Sequence, residues 1–295
     1  MYPQVETLLA TDSLPLSYAE DARKWFLPLA DEIVQRMQTR NGQTYVLGIN
    51  GAQGTGKSTL AKLLTLVTQS RGYRVANLSL DDFYLEKAAR VALARTRHPL
   101  FRTRGVPGTH DTALLLSTLN QLRAADSACA VRIPRFDKAI DDRLPESSFD
   151  CIEGPVDLVI LEGWFVGACE QAPAELKVAV NALERDADEE GRWRAAVNDA
   201  LATEYQSIFA GLDMLVMLRA PSFEQVYEWR GLQERKLAAT RGAGDAMMDE
   251  AELQRFIQHY ERLTRHCLQT LPQRADVVFQ LDAGHRVVSR ADQSA

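Results

Sequence analysis

Apolar residues follow two alternating rhythms along this chain. Short apolar runs of strand length recur over residues 44–50, 74–80, 130–134, 156–161, 213–218 and 277–281. Runs of this kind are expected of strands covered on both faces. Between them, apolar positions return every three or four residues, the mark of helices with one buried stripe. That spacing predicts a helix over residues 58–70, with Leu60, Leu63, Leu64 and Val67 on one side. Further helices are predicted over 86–97, through Arg123 with Asp111 as the expected cap, from Ser222 onward, and up to Leu271. Residues 174–210 read as helix-rich, with the charged stretch 184–198 facing solvent.

Ahead of the first strand, residues 18–37 read as an amphipathic helix carrying Phe26, Leu29, Ile33 and Met37 on one side. Ser17 is its expected cap, with Glu20 completing a capping box, and Pro28 kinks or splits it. Strands alternating with helices predict an α/β fold with a doubly wound, mainly parallel sheet. No repeat, low-complexity stretch or linker divides the sequence. Residues 1–295 are therefore read as one domain, with 1–43 a helical extension packed on it.

Composition adds mainly exclusions. Of the 295 residues, 46% are hydrophobic and 25% charged, ordinary values for a globular protein with a large core. A net charge of −6 gives no overall pull toward nucleic acid or an anionic membrane. The cysteines (Cys129, Cys151, Cys169 and Cys267) are scattered and form no C-x-x-C pair, which argues against a zinc site or a disulfide frame. No apolar run approaches the roughly 18 residues that span a bilayer. Acidic Glu6, Asp12 and Glu20 near the start do not suit a secretory signal. The expectation is a cytoplasmic protein with no nucleic-acid or membrane partner.

The chemistry is written most plainly in Gly51-Ala52-Gln53-Gly54-Thr55-Gly56-Lys57-Ser58, followed by Thr59. This fits the phosphate-cradling pattern G-x-x-x-x-G-K-[ST] between a predicted strand and a predicted helix, the context the motif needs. Glycines let successive backbone N–H groups turn inward as an anion nest, and the helix N-terminus adds its positive end. Lys57 is then expected on the β- and γ-phosphates of ATP, and the Ser58 hydroxyl on Mg²⁺.

Phosphoryl transfer also needs a group to take the acceptor's proton and positive charge around the moving phosphoryl. Asp81 and Asp82 stand just past the second predicted strand, and either is a candidate base, the other serving Mg²⁺ or a helix cap. Glu162, at the end of another apolar run, resembles a Walker B acid acting on Mg²⁺ or holding the site together. Arg102, Arg104, Arg135, Lys138 and Arg143 place positive charge in two loops, where one or two could bind the carboxylate of an anionic substrate. His110 is a candidate hydrogen-bond partner for that substrate. Arg230, Arg235, Lys236 and Arg241 border Gly242-Ala243-Gly244, a combination expected of a lid over ATP spanning about residues 222–250. A P-loop ATPase acting as a switch or assembly factor is the alternative class, but it has no need of an acceptor base beside Phe83.

Asp81-Asp82-Phe83-Tyr84 after a P-loop resembles the superfamily of uridine kinase, pantothenate kinase and phosphoribulokinase. The fuller set of 79–85, 104–111, 134–138, Asp142-Arg143 and 161–167 resembles the plant-type D-glycerate 3-kinase family, over roughly residues 44–285. The resemblance implies a P-loop fold with strand order 2-3-1-4-5, ATP and Mg²⁺ as co-substrates, and transfer to a hydroxyl of a small anionic hydroxy acid, D-glycerate first. It puts the base of the D-x-F pattern on Asp81. It also implies that Tyr84, Arg104, His110, Asp111 and Arg135 meet the acceptor, and that lid residues such as Arg230 meet the nucleotide. Another small alcohol, a nucleoside or a pantothenate-like compound, is the alternative acceptor.

Overall fold

In a computed structural model describing residues 3–240 and 250–293, with side chains omitted for 233–240 and 250, a twisted six-stranded sheet runs through the molecule. The chain forms ten strands among the described residues. They are β1 (Tyr45–Gly51), β2 (Val75–Ser79), β3 (Ala130–Ile133), β4 (Phe136–Asp137), β5 (Asp142–Arg143), β6 (Asp150–Glu153), β7 (Leu158–Gly163), β8 (Met214–Arg219), β9 (Val277–Leu281) and β10 (Val287–Asp292). The main sheet has the order β2-β7-β1-β8-β9-β10. Its first five strands are parallel, and β10 folds back antiparallel on β9.

The apolar runs explain this layering. Every residue of β1 and β7 is buried, as two covered faces require, whereas edge strand β2 alternates between buried and half-buried positions. Side chains alternate across the sheet, so β1 sends Tyr45, Leu47 and Ile49 into one core and Val46 into the other. The first core is closed by the helix Lys57–Gln69 and by the N-terminal helices, which insert Phe26, Leu29 and Ile33. Phe26 meets Phe279 of β9 edge-to-face at 5.4 Å. The helix Thr112–Ala124 and the segment around Tyr205 close the second. Residues 3–43 thus contribute to the main core.

Several sequence expectations need correction. The run at 130–134 does not join the main sheet: β3 pairs antiparallel with β6, burying only Val131 and Ile133. The predicted helix 18–37 is divided into Leu16–Asp21, a π-turn at Ala22–Phe26, and Leu27–Gln38, with Pro28 in the first turn of the last piece. A proline there costs no hydrogen bond. The expected capping box does not form, because the first piece begins at Leu16 and its cap, Pro15, offers no side-chain acceptor. The stretch 184–198 is not solvated throughout. Glu184, Asp188, Trp193 and Arg194 are buried, Glu184 against Arg262 at 2.7 Å and Asp188 against Arg194 at 3.1 Å. All four cysteines are free. No described helix is long and apolar enough to cross a membrane.

Candidate active site

Three strand ends meet at one edge of the sheet. In the parallel register Glu162 of β7 stands beside Ile49 of β1 and Ser79 of β2, so the phosphate loop, the two aspartates and the acid converge at the carboxyl ends. Open α/β sheets place their sites at this edge.

The loop after β1 turns through Gly54 and Gly56, whose φ values of +83° and +85° only glycine adopts freely. Gly54 is doubly constrained, because a Cβ there would lie 2.7 Å from Cβ of Trp229. The helix Phe223–Thr240 therefore lies directly against the phosphate loop. Thr55 ties the loop to itself, its hydroxyl donating to the Ala52 carbonyl at 2.8 Å. Half-buried Gln53 and Thr59 flank the turn, and the helix Lys57–Gln69 starts at Lys57.

Ser58 Oγ donates to Glu162 Oε1 at 2.8 Å. Glu162 is buried, yet its Oε2 has no partner among the described residues. A buried carboxylate oxygen left alone is costly and calls for a cation or an ordered water. A serine hydroxyl beside such a carboxylate is the hard-oxygen set that Mg²⁺ favours, so these residues fit that ion.

One strand over, the adjacent aspartates part company. Asp81 Oδ1 accepts from the Tyr84 hydroxyl at 2.9 Å and Oδ2 from Lys138 Nζ at 2.6 Å. Burial opposes its ionisation, but nearby Lys138 and Lys57 outweigh that and hold the carboxyl well below the usual carboxylate range. Asp82 instead anchors the β4–β5 hairpin: Arg135 Nη1 donates to its Oδ2 at 2.6 Å and the Phe136 N–H to its Oδ1 at 3.1 Å. Burial raises its pKa despite those donors. Of the two, Asp81 is the one that shares electrostatics with Lys57.

The remaining expected residues divide in the same way. Tyr84 and His110 are buried and stacked at 4.4 Å, and His110 Nδ1 pairs with the Tyr205 hydroxyl at 2.8 Å. Burial lowers the His110 pKa to about 3, so the ring is neutral. Asp111 caps the helix Thr112–Ala124 through the Leu114 N–H at 3.0 Å and accepts from Arg143 at 3.1 Å. Arg104 pairs with Asp141, and Arg135 also pairs with Asp150, so neither expected carboxylate-binding arginine is uncommitted. Arg230 lies over the Phe256 ring at 5.7 Å, about two helix turns into the expected lid. Arg241 and the 242–244 hinge lie outside the described residues, as do the side chains of Arg235 and Lys236. Sequence reasoning missed Arg90. It is fully buried and donates to the carbonyls of Leu85, Arg102 and Asp141, stitching these loops together. Nothing in a basic helical segment singles it out. Trp229 was missed too, although an aromatic beside a suspected lid residue was a usable signal.

A mainly parallel sheet centred on a phosphate loop, with a basic-flanked aspartate two strands over, beyond β7, defines a P-loop kinase. Known proteins resolve it further. The family of methylmalonyl Co-A mutase-associated GTPases (MeaB) matches residues 15–85, the stretch from the N-terminal helices through β2 and just beyond. The uncharacterized kinase mug58 of Schizosaccharomyces pombe is 36% identical over 249 residues, covering 79% of this chain and 85% of that protein. The chloroplastic D-glycerate 3-kinase of Arabidopsis thaliana is 30% identical over 235 residues, 77% of this chain but 48% of the plant protein, so the chain spans about half of that relative's length. Among solved structures, the D-glycerate 3-kinase of Cryptococcus neoformans shares the fold with a TM-score of 0.75 at 23% identity, covering 92% of this chain and 99% of that one. The chain belongs to the family of P-loop small-metabolite kinases that includes mug58.

Proposed function

We propose that this protein transfers the γ-phosphoryl group of ATP to the 3-hydroxyl of D-glycerate, forming 3-phosphoglycerate and ADP. The observation that carries the reading is Asp81, an ionised carboxylate within the field of Lys57 and held by Lys138 and Tyr84. A switch ATPase has no use for such a group. The named activity of the plant relative supports the choice of acceptor.

In this reading the loop amides and Lys57 hold the β- and γ-phosphates. Ser58 and Glu162 hold Mg²⁺, which supplies charge neutralisation on the phosphates when bound. Asp81 orients the acceptor hydroxyl and takes its proton as the oxygen–phosphorus bond forms and the bond from the γ-phosphorus to the β–γ bridging oxygen breaks. Neutral His110 and Tyr205 brace Tyr84, keeping its hydroxyl on Asp81.

The test is coupled ADP release across D-glycerate, other hydroxy acids, nucleosides and pantothenate. Turnover with D-glycerate that disappears in Lys57→Ala is expected. No D-glycerate-dependent release above background hydrolysis overturns the reading.

A further inference from the structure

The basic residues around Asp81 differ in how firmly they are tied. Arg90 is 1% exposed and spends its guanidinium on three carbonyls and on Asp141. Arg104 pairs with that same Asp141 and lies over the Phe136 ring at 5.4 Å. Arg135 bridges Asp82 and Asp150, and Arg143 joins Asp111 to the Tyr84 carbonyl. Drawing any of them toward a ligand would strand a carboxylate or carbonyl that shapes the site, and an unpaired buried group is costly.

Lys138 is built differently. It sits on the turn joining β4 to β5, its side chain is 60% exposed, and its ammonium donates to Asp81 Oδ2 at 2.6 Å. An ammonium on a flexible four-carbon stem changes partners easily. Asp81's other ligand cannot give way, since Tyr84 is buried, stacked on His110 and edge-to-face with Phe136 at 5.2 Å. An incoming hydroxyl therefore competes with Lys138 for Oδ2.

We propose that Lys138 recognises the acceptor's carboxylate, exchanging Asp81 for it as the acceptor hydroxyl takes its place at Oδ2. The inference rests on the kinase reading above and narrows its acceptor to the hydroxy acids. A carboxylate whose carbon is next but one to the carbon bearing the reacting hydroxyl, as in D-glycerate, gives the displaced ammonium a new anion. A neutral alcohol leaves it without one. The charge that pairs with Asp81 thus becomes the charge that selects the substrate, and of the basic residues expected in that role Lys138 takes it rather than the arginines.

The experiment compares kcat and KM for the best hydroxy acid of the panel and for its amide, in the full chain and in Lys138→Ala and Lys138→Arg. Wild type is expected to prefer the acid. Lys138→Ala should lose about 10–100-fold in kcat/KM for the acid, mostly in KM, the scale of one charge-assisted hydrogen bond. Its value for the amide should change less than about threefold, and Lys138→Arg should keep the preference. If the best acid is not D-glycerate, the acceptor named above fails, while the collapse of the acid-to-amide ratio still supports Lys138. Equal losses on acid and amide, the mark of a residue that merely fastens the hairpin, overturn the inference. So does a wild type that prefers neutral alcohols.

Discussion

Replacing Asp81 and Asp82 by asparagine, one at a time, should give opposite phenotypes from adjacent positions. Asp82→Asn keeps the shape that receives the Phe136 N–H and weakens one charge-assisted bond to Arg135, which is 33% exposed and retains Asp150. Such a bond contributes about 1.5–3 kcal/mol, less where water reaches it, so a stability loss of about 1–2 kcal/mol is expected. Burial already raises the Asp82 pKa, which further reduces the cost of a neutral amide there. Turnover should fall less than about tenfold, through a slightly looser hairpin. Asp81→Asn removes the proton acceptor of the proposed reaction. General-base catalysis contributes ~10²–10⁴-fold, or roughly 3–5 kcal/mol of barrier, and kcat should fall by that factor. Its stability should fall by only about 1 kcal/mol, because the pairing lost is with Lys138, which is 60% exposed and screened by water. Coupled ADP release measures the first quantity, urea unfolding the second, and retained binding of a fluorescent ATP analogue shows the donor site intact. Loss of turnover in Asp82→Asn by more than 10²-fold, with Asp81→Asn within about tenfold of wild type and both proteins stable, would refute the assignment.

Two further predictions concern the fold. Glu184 is fully buried and meets Arg262 through both carboxylate oxygens at 2.7 Å, so Glu184→Ala leaves a largely buried guanidinium with only the Glu175 and Val178 carbonyls and should cost about 3 kcal/mol in urea unfolding. A loss below about 1 kcal/mol would mean that water reaches the pair freely. Burial lowers the His259 pKa from 6.5 to about 4, so between those values the unfolded chain binds the extra proton. Its contribution is held above about pH 6.5 and lost as pH falls toward 4, in all about 3 kcal/mol. His259→Gln should flatten that part of the stability profile; an unchanged slope would show that other groups set it.

The parts of this protein legible from its sequence are those whose cause is local. Eight contiguous residues make the phosphate loop, because glycine's freedom at 54 and 56 and the helix start at Lys57 need no distant partner. Asp111 caps its helix from three residues away, and unbroken apolar runs mark β1, β7 and β8 as strands with two covered faces. The misreadings arise where a partner is remote. Residues 184–198 look solvated until Arg262 arrives from another helix, and 130–133 look like a central strand although their alternating burial belongs to a one-faced pair with β6. The division of labour between Asp81 and Asp82, and among the basic residues, is decided wholly by the tertiary fold. Adjacent aspartates are indistinguishable by charge and propensity, and what separates them is the hairpin at 136–143, which brings Lys138 to one and the Phe136 amide, with Arg135, to the other. Sequence by itself determined that a nucleotide cradle exists and that carboxylates stand a strand away. Only folding decided which carboxylate meets Lys138 and which anchors the hairpin, because pairing energies depend on distances that chain order does not specify.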